Sequence, residues 1–300
     1  MSARTVTAQG TGAHDARTGV VAGAARRLAG LGPARLVLLV IGVIVLLMAI
    51  WPQLFTPYSP TTIDASAILQ PPSFAHPLGT DEAGADVWAR IVYATRLELV
   101  VAVGSLVIAL VIGVPTGLLA GYGGRVVDGA LSGVSSATLA FPLILFAILM
   151  VASFGTTSVT LVGIIGFLFF PRIFLLVRAQ TLALRQREFV LAAHVTGISP
   201  TRNLVRHILP NAAGPLLTLI PQLMAEAILI EAGLSYLGLG VQLPAATWGT
   251  ILQSSKNYYV TAPSYAIAAG LAITLASALL MFAGELVAES SNPMRRRRRS

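Results

Sequence analysis

The stretch LELVVAVGSLVIALVIGVPTGLLA, Leu97 to Ala120, is apolar along nearly all of its length. As a helix it is long enough to cross a hydrocarbon layer of about 30 Å. Comparable stretches occupy 36–55, 131–154, 158–178, 212–236 and 264–287. The expected fold is an all-α integral membrane protein with about six transmembrane helices. Composition agrees: 55% of the residues are hydrophobic, mean hydropathy is +0.80, and 11% are charged, where a soluble domain carries roughly 25%.

The first stretch could be mistaken for a cleaved export signal, since Arg26 and Arg27 precede it. The run from Leu36 to Ile50 is long, however, and Trp51-Pro52-Gln53 follows it rather than a small-residue cleavage site. It is expected to be a retained span. The organisation is then a tail over 1–35, rich in Gly, Ala, Thr and Arg and expected to be mobile, a transmembrane domain over 36–290, and a basic tail over 291–300.

The net charge of +8 does not point to nucleic acid, because the basic residues are dispersed between apolar spans rather than gathered on one face. Their distribution instead sets orientation. With the N-terminus inside, the cytoplasmic segments hold 15 Arg and Lys and the outer segments hold 3. The positive-inside rule then places both termini in the cytoplasm, and the run Arg295 to Arg299 becomes an anchor at anionic lipid headgroups. The chain has no cysteine, hence no disulfide and no thiolate chemistry.

Within the spans, Gly113, Gly117 and Gly121 recur every fourth residue and share one helical face, a pattern that lets a second helix approach closely. Pro115, Pro142, Pro171 and Pro221 are expected to kink their spans. Trp88, Trp248, Tyr258 and Tyr259, in the outer segments, suit interface anchoring or contact with an external protein. Anchoring is the expectation for Trp248.

The segment 185–210 joins the fourth and fifth spans. Arg185 to Thr196 has helix-forming composition, Gly197 is placed for a left-handed cap, and Ser199-Pro200 reads as a new helix start. Pro210 marks the return into the membrane. Phe189, Val190, Leu191, Ala192, Ala193 and Val195 make the first of these helices apolar nearly all round, which suits a protein groove better than a membrane surface.

REFVLAAHVTGISPTRNLVRHILPN, Arg187 to Asn211, resembles the "EAA" loop of bacterial ATP-binding-cassette (ABC) importer permeases, through Ala192-Ala193, Gly197 and Leu209-Pro210. HPLGTDEAGADVWARIVYATRLEL (His76 to Leu99), GLLAGYGG (Gly117 to Gly124), AFP (Ala140 to Pro142), EAGLSYLGLGVQLPAATWG (Glu231 to Gly249) and GLAI (Gly270 to Ile273) resemble the C-type permeases of dipeptide, oligopeptide and nickel importers. The resemblance covers about 36–293. It implies the type I ABC importer permease fold and a multi-pass subunit of the bacterial cytoplasmic membrane that forms half of a translocation pathway. The implied partners are a second permease, two cytoplasmic ATPase subunits, an external solute-binding protein and membrane lipid. It also implies that the helix around Ala192 and Ala193 docks in an ATPase cleft. Two departures stand out. Leu191 occupies the position where the family usually has Glu, and Glu188, three residues earlier, could substitute for it. Arg172 lies one turn before Leu175, near which the family commonly has Arg.

No GxxxxGK[ST] phosphate loop is present, so ATP and Mg are expected on the partner ATPases and no cofactor in this chain. His14, His76, His194 and His207 lack metal-ligand spacing. Ionisable residues inside spans usually face a cavity or a partner, which makes Arg172, Glu226 and Glu231 candidates for the pathway or an interface. Glu226 and Glu231 point about 140° apart on a helix. Glu226 is the better pathway candidate, and Glu231 is expected to have a structural duty, capping or pairing across the subunit interface. Peptides are the first expectation for the substrate, with nickel or another small solute as the alternative. An ion-driven secondary transporter is the competing class, but it would show internal repeats and intramembrane charge pairs.

Overall fold

The computed structural model describes residues 33–242 and 245–291, without the side chains of 33–35, 191, 194, 290 and 291. The tail expected over 1–35 lies almost wholly outside the described residues, and the basic tail over 291–300 does so save for the backbone of residue 291. Helix α1, Pro33–Ile50, is taken by itself. It presents exposed Leu and Val side chains on several sides. It stops short of residue 55 because Pro52 opens a 3-10 turn, Pro52–Leu54.

The remaining helices are α2 (Val87–Tyr122), α3 (Arg125–Ala140), α4 (Leu143–Phe154), α5 (Ser158–Leu184), α6 (Glu188–Val195), α7 (Pro200–Asn203), α8 (Leu209–Tyr236), α9 (Trp248–Ser255) and α10 (Pro263–Ser291). Four helical runs are long and apolar enough to cross a membrane: α2, α5, the run Pro200–Tyr236 and α10. The pair α3 and α4 is a fifth if counted as one span.

Three boundaries depart from the sequence expectation, each for a local reason. Helix α2 starts at Val87 rather than at 97, because Asp86 accepts the Ala89 N–H at 2.6 Å and caps it. Arg90, which the hydropathy pattern set outside the span, is buried and paired with Asp81. The expected third span over 131–154 is not straight: α3 and α4 meet at 93°. The ring of Pro142 forces the preceding Phe141 into extended backbone, φ −86° and ψ 137°, which ends α3 there. Finally, Pro210 does not open a separate helix. A π-helical stretch, Leu204–Ile208, fuses α7 to α8. The Leu209 N–H reaches back to Leu204 O, so the wider repeat carries the chain past the missing proline donor.

The helices converge on a seam between α2 and α5. A Cβ added at Gly113 would lie 2.8 Å from Phe170 O, and one at Gly117 would lie 2.8 Å from Phe174 O. Gly166 on α5 returns the pattern against Ser105 O on α2, again at 2.8 Å. The two backbones are therefore in near contact, as the four-residue glycine spacing anticipates. Against this seam pack buried Leu161, Ile165, Phe169 and Ile173 of α5, Leu223 and Ile228 of α8, and Tyr265 of α10.

Gly117→Leu should destabilise the protein by roughly 1–3 kcal/mol through overpacking, seen as a lower melting temperature in detergent. Gly129→Ala, on α3 with open space around it, should lower nothing and gains helix propensity.

Candidate functional site

Two surfaces and one buried cluster carry the side chains that sequence reasoning singled out. The first surface is the connection from α5 to α8. Gly197 adopts φ +79°, a conformation that glycine takes without the Cβ penalty. The Ile198 N–H bonds Ala193 O at 3.1 Å, closing α6 with a Schellman turn. The Asn203 side chain donates to Val190 O at 3.3 Å and holds α7 beneath α6. Helix α6 is thus two-faced. Val190 and Ala193 are buried, while Phe189, Ala192 and Val195 stand exposed, Val195 at 86%. Glu188 is exposed at the first turn and Pro210 is exposed on the far side of the π stretch. Leu191 lies in α6, with its side chain outside the described residues.

The base of this connection is braced by charge. Arg178 on α5 grips Asp128 on α3 through two donors, its Nη2 at 2.7 Å, and Arg185 donates to Gly121 O at 2.9 Å. Neither brace was legible as a pair, because Asp128 and Arg178 are 50 residues apart.

The second surface is a polar stripe along α8. Asn211, Thr218, Gln222, Glu226, Gly233 and Tyr236 are exposed or half-buried and fall within roughly 80° of arc at 3.6 residues per turn. Pro215 and Leu229 are the apolar interruptions. The exposed faces of α2 (Val100, Val103, Val107, Val111) and α10 (Ile267, Leu271, Leu275) are apolar by contrast. Those faces suit lipid; the α8 stripe suits water, solute or another subunit.

Arg172 of α5 reaches this stripe. It pairs with Glu226 through Nη1 and Oε2, with the side chains 40% and 32% exposed, and its guanidinium lies 5.9 Å from the centre of the Phe169 ring. Both residues sit near the middle of their helices. An isolated charge there costs about 2.5–3.5 kcal/mol on insertion scales, so pairing and an aqueous or protein-facing side are what the position demands. Sequence reasoning named both residues without joining them.

Glu231 behaves differently: it has no place on the exposed stripe, and its surroundings support the structural duty expected of it. It is fully buried within this one chain. Helix α9 folds over it: Thr247 and Thr250 form a capping box, and Ser235 donates to Glu231 Oε1 at 2.5 Å. Facing it is Glu98 of α2, equally buried. Glu98 Oε1 accepts the Trp248 N–H at 2.8 Å. Among the described residues the second oxygen of each carboxyl has no partner. Trp248 is likewise no interface anchor: it is 4% exposed, and its indole N–H donates to Ile91 O at 3.0 Å.

The segment before α2 is a closed clamp. Asp81 accepts from the Ala83 and Ala85 N–H groups at 2.8 Å and from Arg90. Gly84, at φ +78°, lies against the Asp64 backbone, where no side chain fits. The Ser66 hydroxyl and amide both donate to Asp64 and hold its carboxyl below the usual range.

Replacing Glu98 separates its acceptor role from its charge. Glu98→Gln keeps an oxygen for the Trp248 N–H and should leave thermal unfolding in detergent unchanged or raised. Glu98→Ala strands that N–H and should cost about 1–3 kcal/mol.

The family model described as "binding-protein-dependent transport system inner membrane component" matches residues 113–296. The dipeptide transport system permease protein DppC of Alkalihalophilus pseudofirmus is 37% identical over 242 residues, covering 79% of this chain and 80% of that protein. Among solved structures, a chain of the MetNI methionine ABC transporter, in inward-facing conformations, matches with a TM-score of 0.55 at 17% identity, over 67% of this chain and 95% of that one. That likeness carries the fold: a type I importer permease. The chain belongs to the family of binding-protein-dependent transport system inner membrane components.

Proposed function

We propose that this chain forms half of a translocation pathway for di- or oligopeptides across the bacterial cytoplasmic membrane, powered by ATP hydrolysis on separate subunits. A second permease completes the pathway, two ATPases engage the α5–α8 connection, and an external solute-binding protein delivers the peptide. Both chain termini lie in the cytoplasm, as the arginine distribution favours. ATP and Mg belong to the ATPases, and this chain carries no ATPase site.

The observation that carries the reading is the two-faced α6. Its inner face is tied to its own subunit, while Phe189, Ala192 and Val195 are left uncovered. An ordered helix that exposes apolar side chains at the end of a membrane domain is a docking surface. Small Ala192 admits a close approach and Gly197 fixes the return angle. Closure of the ATPase dimer on ATP would push α6, and the spans would exchange discrete packings rather than deform continuously. The peptide assignment is supported by the DppC relative.

The test is reconstitution of the importer with its partner subunits in proteoliposomes and measurement of ATP-dependent dialanine uptake. Ala192→Arg should abolish copurification of the ATPases. Gly197→Val should strain the cap by about 1–2 kcal/mol and lower peptide moved per ATP. Glu188→Gln should also lower that ratio if Glu188 supplies the charge that Leu191 lacks; an unchanged ratio removes Glu188 from the docking surface.

A further inference from the structure

The three described pairs of Arg with a carboxylate fall into two kinds. Asp81–Arg90 is enclosed, with side chains 1% and 8% exposed, and Asp81 is saturated by two backbone N–H groups. Asp128–Arg178 is held through two donors, and Asp128 also accepts from Ser132. Both are braces between elements. Arg172–Glu226 differs on each count. It is the most exposed of the three. It is closed by one hydrogen bond, and among the described residues no other protein group bonds to either side chain. Arg172 therefore keeps most of its five donors, and Glu226 Oε1 is free. The pair opens onto the polar stripe of α8, with Gln222 one turn from Glu226.

We propose that Arg172 and Glu226 form a site for the two terminal charges of a zwitterionic peptide, Glu226 taking the ammonium and Arg172 the carboxylate. The proposal rests on the peptide reading above and names the residues that would recognise that substrate class. A free peptide brings both charges into a region of low dielectric, where each needs a counter-charge. Empty, the site neutralises itself. Occupied, one ion pair is exchanged for two, and no lone charge is created at either stage. An extended dipeptide spans about 7 Å, a gap that two long side chains on separate helices can open. Two parallel donors on the guanidinium suit a carboxylate. Gln222 offers an amide that can bond the peptide group between the termini.

The experiment uses the complete importer, arrested with a non-hydrolysable ATP analogue after delivery of radiolabelled dialanine, and measures displacement by dialanine, N-acetyl-dialanine and dialanine amide. The wild type should hold dialanine and reject both blocked peptides by roughly ten-fold or more. Glu226→Gln should lose the discrimination against the N-acetyl form and keep that against the amide; Arg172→Gln should do the reverse. The double variant, Arg172→Gln with Glu226→Gln, removes both charges without leaving either alone, so it should assemble with its partner subunits. Its dialanine transport per ATP should fall roughly ten-fold or more. Variants that discriminate like the wild type overturn the site alone, as does a double variant whose transport and ATP hydrolysis fall in the same proportion. A wild type that neither moves nor holds dialanine or tetra-alanine overturns the peptide reading, and the site with it.

Discussion

The near contact of the α2 and α5 backbones organises the membrane domain. In lipid, helices gain nothing by hiding apolar surface from water, so association depends on packing and on polar contacts. Gly113, Gly117 and Gly121 remove the side chains that would keep two backbones apart. The consequences are positional. Because α5 is held against α2, Arg172 is presented to α8, Arg178 meets Asp128, and Arg185 reaches Gly121 O.

Charge is the second constraint, and it divides the buried polar groups by duty. Asp81 with Arg90, and Asp128 with Arg178, close on themselves and fasten elements. Glu98 fastens too, through the Trp248 N–H, while Thr247 bonds Ser235 beside Glu231, so that α9 forms a lid over two carboxyls. Among the described residues, Arg172 and Glu226 alone combine mid-membrane position, pairing and exposure.

Much of the fold was legible because its signals are local. Apolar run length gives spans, glycine spacing gives a packing face, and Gly197 with Ser199-Pro200 gives a helix–turn–helix. The misreadings arose where a distant residue changed the meaning of a local one. Arg90 lies outside the apolar run in sequence, yet pairing with Asp81 lets it enter the helix. Trp248 looks like an anchor until Ile91 and Glu98 receive its two N–H groups. Glu231 looks like a candidate to pair across a subunit interface until α9 covers it. Glu98 itself was missed, since one acid in a long apolar stretch has no periodicity to announce it. The bend at Pro142 was expected as a kink, but its 93° angle reflects Phe141 leaving the helical region altogether.

The unbroken run from Pro200 to Tyr236 gives the molecule a mechanical property. The same rod begins beside α6, where Asn203 is tied to Val190, and ends at Tyr236, the last residue of the polar stripe. A continuous helix transmits twist, so a small rotation imposed at Pro200 is carried toward Gln222 and Glu226, less what the backbone takes up at Pro215 and Pro221. The π stretch at Leu204–Ile208 is the one place along the rod's lower third where the repeat is wider. It is therefore where torsion would be stored or released, and its compliance sets how faithfully an input at one end becomes a change of lining at the other.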